Sequence, residues 1–421
     1  MKLSIFFLAV SSAYQVDKIP EPNDKLNVYA LPMGHGEGTI IQCPAGADGS
    51  GGELSIFDLG ALVKYYEWWD VVKFLGDYPI RYMFLTHADE THTSFFPKVF
   101  PTNPAETETY PNLSELQQIY HTCPFDNYSF GSCNSCPQDT SVMDWLEFNK
   151  QKTVMVNDGE ACGTAACIAN GGDLKKCTCS DDRGISLCPQ NPEIKLDFIA
   201  ASLNNCERDR FGQLNSDKDS LVAKLSWNDF SMMLMGDNKS PDQEKVVDFY
   251  ESIDPGFLNS TVLKLSHHGS LYGTTVDLVD AVSPEIAFFS SAHLNQDWSS
   301  GDCGTFQKVK NVLRKYDASS SEKQYIQDEL ICYDAWAPDL PDDQPVRTAE
   351  NKQRLAYYST TYGSRFVNQD SHNPNGLYTW PCVINRLDLS TDGTEDNTHM
   401  TPRGQGEMPF PPCSKPDFWG P

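Results

Sequence analysis

Short runs of apolar residues, separated by polar or glycine-rich segments, dominate the first hundred residues of the chain. The pattern predicts strands at residues 26–31, 39–43 and 54–60, and a buried strand at residues 80–84. Between the last two strands, apolar residues at spacings of three and four predict a helix over residues 61–75. Strands that alternate with helices in this way are typical of an α/β fold.

The same regularity returns at residue 194. Two hairpin strands there are followed by single strands with helices between them, which continues the α/β pattern. We predict helices at residues 241–252 and 305–316, and strands at residues 194–199, 220–225, 230–235, 261–265, 286–291, 355–360 and 382–387.

Residues 101–192 break this pattern and are rich in cysteine. Eight of the 14 cysteines lie between Cys123 and Cys188. An even number of cysteines in a secreted chain indicates disulfides, here up to seven, and their pairing stays open. We therefore predict a disulfide-rich insertion, although the pairs Cys133-x-x-Cys136 and Cys177-x-Cys179 leave zinc binding as an alternative.

An apolar leader begins the chain. Lys2, the apolar residues 3–10 and the small residues after them are typical of a secretory signal peptide, which we place at residues 1–17. Residues 386–421 show no clear pattern, and we expect an irregular tail. Secretion agrees with the cysteine count and makes four Asn-x-Ser/Thr sequences candidate glycan acceptors, at Asn112, Asn127, Asn238 and Asn259.

The net charge of the chain limits the classes of partner that it can bind. It has 58 acidic and 32 basic residues among 421, a formal net charge of −26. Binding of nucleic acid depends on Lys and Arg contacts to phosphate, so this charge disfavours long DNA or RNA. No apolar run after the leader approaches the roughly 20 residues that span a membrane. We expect a soluble extracellular protein with a small-molecule or phosphodiester partner.

Side chains that ligate metals stand at the ends of three predicted strands. Each group alone has an ordinary explanation, such as a polar turn, a helix cap at Asp237 or a buried histidine turn. Three such groups in one chain are harder to explain in this way, because α/β sheets place their sites at strand ends. Imidazole and carboxylate groups suit a divalent cation such as Zn²⁺. The candidate ligands are His87, Asp89, His92, Asp237, His267 and His268.

Taken in order, these segments resemble the metallo-β-lactamase fold superfamily. The similarity is to the branch that contains the extracellular domain of the bacterial competence DNA-uptake channel and the bacterial phosphorylcholine esterases. It covers about residues 26–100 and 194–366. The matching motifs are the glycine-rich segment 33–38, Asp58-Leu59-Gly60, His87-Ala88-Asp89-Glu90-Thr91-His92, Ser220-Leu221-Val222, Gly236-Asp237, Lys264-Leu265-Ser266-His267-His268-Gly269-Ser270 and Ser283-Pro284-Glu285-Ile286-Ala287.

The resemblance implies a four-layer αββα sandwich over residues 26–385, interrupted by the insertion at residues 101–192. It also implies one or two Zn²⁺ ions in neighbouring sites. The first site would consist of His87, Asp89 and Asp237, and the second of His92, Asp237 and one or both of His267 and His268.

The resemblance further implies a hydrolase in which a metal-activated water is the nucleophile. Asp237 would bridge the metals, and His268 or Thr91 would contact the substrate. A phosphodiester is the favoured substrate, and a lactone or lactam is the alternative. Thr91 departs from the family, which carries an aspartate there, and threonine is a poor ligand for divalent metals. A non-catalytic secreted scaffold with a decayed site is therefore a third interpretation.

Overall fold

The computed structural model describes two packed sheets and the helices that cover them. Residues 1–16, the predicted helix at residues 305–316 and ten of the 14 cysteines lie outside the described residues. No helix in the described part of the chain has both the length and the apolar character needed to cross a membrane. The described residues are 17–46, 49–64, 66–102, 111–129, 141–156, 184–204, 206–207, 216–269, 273–290, 356–359, 383–394 and 397–407.

Fifteen strands and six α-helices lie within these ranges, and we number them in chain order. The strands are β1 Leu26–Ala30, β2 Gly34–Gln42, β3 Leu54–Lys64, β4 Ile80–Leu85, β5 Gln118–His121, β6 Thr153–Met155, β7 Gly184–Cys188, β8 Asn191–Ala200, β9 Val222–Trp227, β10 Phe230–Leu234, β11 Val262–Lys264, β12 Ile286–Phe289, β13 Ala356–Ser359, β14 Val383–Thr391 and β15 His399–Glu407. The helices are α1 Trp68–Leu75, α2 Glu90–Thr93, α3 Phe96–Val99, α4 Val142–Phe148, α5 Ser240–Ile253 and α6 Val276–Val282.

The strands form two mixed sheets. The first has eight strands in the order β15-β14-β1-β2-β3-β4-β5-β6, and the second has seven in the order β13-β12-β11-β10-β9-β8-β7. Strands β3 to β6 run parallel to each other, and so do β10 to β13. Parallel neighbours need crossover connections, and α1, α5 and α6 lie in those of β3–β4, β10–β11 and β11–β12.

A large hydrophobic core lies between the two sheets. Side chains along β4 alternate, so that Tyr82 and Phe84 enter this core while Met83 and Leu85 enter a second core beneath α1, α3 and α4. On the other side of the molecule, α5 and α6 pack on the second sheet, with Val246 of α5 fully buried. The layers are helix, sheet, sheet and helix, and the predicted αββα sandwich is confirmed.

The glycine-rich segment 33–38, which separates the first two predicted strands, itself forms most of the first half of a strand. Strand β2 runs without interruption over Gly34–Gln42 and pairs with β3. A Cβ atom at Gly36 would lie 2.0 Å from the carbonyl oxygen of Gly60, so glycine allows the two strands to approach closely. Because β3 is longer than predicted, the helix predicted at residues 61–75 begins only at Trp68.

Two predicted boundaries are wrong. The tail at residues 386–421 is not irregular throughout, because β14 and β15 occupy much of it and β14 pairs with β1. The described part of the insertion at residues 101–192 belongs to the sandwich, since β5 and β6 extend the first sheet and β7 the second. Weak patterning hid these strands: β6 is three residues long, and β15 is mostly polar or glycine.

Among the described residues, two disulfides join one sheet to the other. Cys43, after β2, bonds to Cys188 in β7, and Cys123, after β5, bonds to Cys206, beyond β8. No free cysteine occurs among the described residues. The pairs Cys133-x-x-Cys136 and Cys177-x-Cys179 lie outside them.

Candidate metal centre

The ends of three strands meet at one place in the sandwich. His87 and His92 follow β4, Asp237 follows β10, and His268 follows β11. Asp237 Oδ2 lies 3.2 Å from His92 Nε2 and 3.8 Å from His87 Nε2. It also lies 3.7 Å from His268 Nε2. The candidate metal ligands at the three strand ends, which are far apart in the sequence, therefore form one cluster around the Asp237 carboxylate.

The buried ligand atoms of this cluster include three that make no hydrogen bond. They are His87 Nε2, Asp237 Oδ1 and His92 Nε2, of which the last has only its ion-pair contact with Asp237 Oδ2, and both imidazoles are fully buried. Leaving a buried polar atom unpaired costs roughly 1–3 kcal/mol, so three that converge need an explanation. One divalent cation, or two in neighbouring positions that share Asp237, would satisfy all three, and one ligand atom from each residue lies within 4.8 Å of the other two. The donor set therefore fits a divalent metal ion.

Asp58, in β3, determines which imidazole nitrogens face the cluster. Its carboxylate accepts hydrogen bonds at 2.8 Å from Thr86 N, from Thr86 Oγ1 and from His92 Nδ1. Because a carboxylate only accepts, His92 carries a proton on Nδ1 and presents Nε2 to Asp237. The Thr86 hydroxyl donates its proton to Asp58 and so accepts from His87 Nδ1 at 3.1 Å. His87 therefore also presents Nε2.

His268 is held by residues of both sheets. Its Nδ1 lies 3.0 Å from the carbonyl oxygen of Ser290 and 3.4 Å from Glu37 Oε1. Both are acceptors, so Nδ1 carries the proton and Nε2 faces the cluster. His267 is 7% exposed, and its backbone N–H donates to the carbonyl of Gly236 at 3.2 Å. Both histidines have positive φ, 50° and 54°, a strained conformation that is concentrated at functional sites.

Asp89 and Thr91 are hydrogen-bonded to each other in the segment between His87 and His92. Asp89 is the N-cap of α2, and its Oδ1 accepts from Thr91 N at 2.8 Å and from Thr91 Oγ1 at 2.6 Å. Thr91 is only 4% exposed. Its hydroxyl thus orients Asp89, whereas the sequence-based expectation for Thr91 was a contact with the substrate.

Asp217 is a candidate ligand that the sequence reasoning missed. It lies in a 3-10 turn, Ser216–Asp219, and its Oδ1 is 3.8 Å from His87 Nε2. Ligand atoms of His87, Asp89 and Asp217 lie within 4.8 Å of one another. The sequence offered a weak signal, an acidic segment just before a strand, but nothing that separated Asp217 from Asp219.

Asp219 belongs to the scaffold instead. Its Oδ1 accepts from the backbone N–H groups of Asn204, at 2.8 Å, and Cys206, at 3.1 Å. Its carboxylate also lies near Cys123 and Cys206, a grouping that resembles a metal site. The two cysteines form a disulfide, however, so they are not available as thiolate ligands.

Charges in the cluster are strongly coupled. Burial opposes the charged form of His92, but Asp237 and Asp58 raise its pKa well above the ordinary value. Burial likewise opposes the charged form of Asp237, but His92 and His268 hold its pKa well below the ordinary value. Burial and the neighbouring His92 lower the pKa of His87. The cluster therefore favours an anionic Asp237 with a positive charge beside it, a place that a metal cation can take.

Comparison with known proteins finds likeness in structure only. No protein-family model and no curated protein sequence matches the chain. The metallo hydrolase Igni18 from the hyperthermophilic archaeon Ignicoccus hospitalis is similar at 11% identity and a TM-score of 0.35, over 68% of this chain and 91% of that one.

The diiron β-hydroxylase CmlA from Streptomyces venezuelae is similar at 11% identity and a TM-score of 0.37, over 72% of this chain and 53% of that one. A mutant of CmlA gives the same identity and TM-score, over 52% of its length. This chain thus matches about half the length of CmlA.

Proposed function

We propose that the chain is a secreted metal-dependent hydrolase that acts on phosphodiesters. One observation carries the proposal. His87 Nε2, His92 Nε2 and Asp237 Oδ1 are buried without hydrogen-bond partners in a cluster that matches the ligand spacing of a metal ion.

Two neighbouring cation positions account for the candidate ligands. Zinc suits both, because it binds imidazole nitrogens and carboxylate oxygens in compact sites. When bound, it supplies Lewis acidity and lowers the pKa of a coordinated water. We assign His87, Asp89 and Asp217, whose ligand atoms lie within 4.8 Å of one another, to the first position. We assign Asp237 to the second, with His92 and His268, whose Nε2 atoms are 3.2 and 3.7 Å from its Oδ2. Asp237 also lies 3.8 Å from His87 and so adjoins both positions.

The other polar residues of the centre hold the ligands in place. Asp58 fixes the ring of His92 directly and that of His87 through Thr86. Thr91 fixes the carboxylate of Asp89. With its ligands oriented before the substrate arrives, such a centre stabilises charge that develops during hydrolysis without rearranging.

The charge of the centre favours an anionic substrate. When two divalent ions are bound, its ligand histidines are neutral, and the ions, five carboxylates and two lysines together carry a net charge of +1. A positive centre attracts a phosphodiester monoanion more strongly than a neutral lactone. The residues counted are Glu37, Asp58, Asp89, Asp217, Asp237, Lys239 and Lys264.

Two further considerations favour a small phosphodiester. The motifs resemble the branch that includes phosphorylcholine esterases, and a net charge of −26 disfavours long nucleic acid. Thr91 replaces an aspartate that the family carries, so this chain lacks one of the usual carboxylate ligands. Asp217 supplies a carboxylate in its place. We therefore favour an active centre over a decayed one.

Secretion is part of the same proposal. Disulfides form and persist in oxidising compartments, and both described disulfides are buried at the junction of the two sheets. The leader at residues 1–17 provides the export signal.

The test begins with metal analysis of purified protein, followed by turnover of bis(4-nitrophenyl) phosphate. Asp237→Ala is the test variant, and Asp248→Ala, which removes an exposed carboxylate of α5, is its matched control. We expect bound zinc and turnover in the wild type and in the control, and loss of both in Asp237→Ala. Protein that binds no zinc at neutral pH, or turnover unchanged in Asp237→Ala, would refute the proposal.

A second variant separates an active centre from a decayed one. Thr91→Asp restores the carboxylate that the family carries. If the natural centre is active through Asp217, this change has little effect on zinc content. A large gain in zinc affinity, from a wild type without activity, would instead support the non-catalytic scaffold.

A further inference from the structure

The exposure of the side chains shows where the candidate metal centre opens to solvent. His87 and His92 are 0% exposed and Asp237 is 4% exposed, whereas Asp217 is 17% and Lys239 is 30% exposed. Asp217 and Lys239 therefore lie at the entrance, and a substrate that approaches from solvent meets them before the buried ligands.

Two lysines form ion pairs with carboxylates of the centre, and they differ in accessibility. Lys264 Nζ is 2.8 Å from Glu37 Oε2, and both side chains are at most 5% exposed. Lys239 pairs with Asp217 Oδ2 and keeps part of its side chain in solvent. Only the second of these lysines can reach an incoming ligand.

Asp217 connects Lys239 to the metal ligands. One of its oxygens, Oδ2, pairs with Lys239, and the other, Oδ1, lies 3.8 Å from His87 Nε2. Oδ1 can therefore take part in metal binding while Oδ2 holds the ammonium group beside the centre. An ammonium group has three donors, so Lys239 can hold Asp217 and still donate to another acceptor.

We propose that Lys239 is a specificity residue that binds an anionic oxygen of the substrate beside the reacting centre. This inference rests on the proposed function and narrows it, because it requires a substrate with a negative charge next to the scissile bond. A phosphodiester, with its charged non-bridging oxygens, meets this requirement, and a neutral ester or phosphotriester does not. A charge-assisted hydrogen bond of this kind is stronger than a neutral one.

The experiment compares two substrates that share a 4-nitrophenolate leaving group. Bis(4-nitrophenyl) phosphate is an anionic diester, and diethyl 4-nitrophenyl phosphate is a neutral triester. The zinc-loaded full-length protein is assayed as wild type, Lys239→Met and Lys239→Arg. Lys218→Met is the matched control, because Lys218 is a partly exposed lysine next to Asp217 in the chain.

We expect Lys239→Met to raise KM for the diester about tenfold, the size of effect for one charge-assisted hydrogen bond. Its kcat, its activity on the triester and its zinc content should stay close to those of the wild type. Lys239→Arg should restore most of the binding, and Lys218→Met should change nothing. An equal loss on both substrates, or a loss of zinc from Lys239→Met, would overturn the inference.

A binding measurement keeps this test separate from the test of activity. Calorimetric titration with the monoanion of ethyl methylphosphonate, whose ethoxide is a far poorer leaving group than 4-nitrophenolate, reports anion binding directly. If the wild type has no turnover but Lys239→Met weakens this binding about tenfold, the hydrolase proposal fails and the role of Lys239 stands. Equal binding by the wild type and Lys239→Met would refute the role of Lys239 whatever the activity.

Discussion

Glu37 Oε2 lies 2.8 Å from Lys264 Nζ, and this buried ion pair joins the two sheets beside the candidate metal centre. Glu37 belongs to β2 of the first sheet and Lys264 to β11 of the second. Burial alone would raise the pKa of Glu37, but Lys264 and His268 lower it below the ordinary value. Glu37 is therefore ionised, and its other oxygen lies 3.4 Å from His268 Nδ1.

Removing one partner of the Glu37–Lys264 ion pair should strongly destabilise the fold. We expect Lys264→Met to lower the free energy of unfolding by about 3–5 kcal/mol, because it leaves Glu37 buried and uncompensated. The double variant Glu37→Gln/Lys264→Met should lose less than the sum of the two single variants. Urea denaturation of all four proteins measures this coupling. Additive losses would mean that the pair is not an energetic unit.

Asp58 should control metal binding through the tautomer of His92. In Asp58→Asn the amide oxygen is needed by Thr86 N, so the amide NH₂ would face His92 Nδ1 and drive the imidazole proton to Nε2. That proton would block the metal, and we expect zinc affinity to fall by about ten- to a hundredfold.

Competition with a chelator measures the affinity of Asp58→Asn, and ¹⁵N shifts of the imidazole report the tautomer. Asp248→Asn, on the exposed face of α5, provides the control. Unchanged zinc affinity in Asp58→Asn would contradict the role of the Asp58 hydrogen bonds.

His121 should make the fold sensitive to acid. Burial lowers its pKa to about 4, although its Nδ1 lies 2.9 Å from the Cys123 carbonyl. The unfolded chain has an ordinary histidine pKa of about 6.5, so it takes up a proton first as the pH falls. Stability that is complete above pH ~6.5 is therefore lost progressively toward pH ~4, by about 3 kcal/mol in total.

His121→Gln separates this contribution from those of other groups, because glutamine can still donate to the Cys123 carbonyl but does not titrate in this range. Unfolding free energies at pH 7 and pH 4.5 should show a smaller acid loss in the variant than in the wild type. Equal losses would show that His121 does not stay neutral in the folded protein.

The four predicted glycan acceptors should not be modified equally. The side chain of Asn259 is exposed, whereas Asn238 is 0% and Asn127 7% exposed. Since a glycan needs an acceptor at the surface, we expect modification at Asn259, and little or none at Asn238 and Asn127, after expression in a eukaryotic secretory host. Mass spectrometry after enzymatic deglycosylation measures each site, with Asn259→Gln as the control. A glycan on Asn238 would be incompatible with the folded protein described above.

The sequence predicted the parts of the fold whose apolar residues form a clear local pattern. Strand β4 was found because it is a short apolar run, the pattern of a strand buried on both faces. The first half of strand β2 was not predicted, because its need for glycine at Gly36 comes from contact with Gly60 on the neighbouring strand. Such a contact between strands leaves no mark in the local pattern.

The same distinction applies to the site. His87, His92, Asp237 and His268 were recognised because each follows a strand in a known motif, and the structure brings all four together. Asp217 was missed because its position depends on the path of a turn that only the packed sheets define. The roles of all these residues in catalysis stay predictions until the experiments above are done.

The pairing of β1 with β14 has a consequence for biosynthesis. In the first sheet β1 lies between β2 and β14, and the pairing joins residues as distant in the chain as Leu26 and Thr391. A nascent polypeptide thus keeps one edge of β1 unpaired until Val383 and the residues after it have been translated. During that interval the unpaired edge of β1 can pair with strands of other chains and cause aggregation. A premature stop codon before Val383 would leave this edge permanently unpaired.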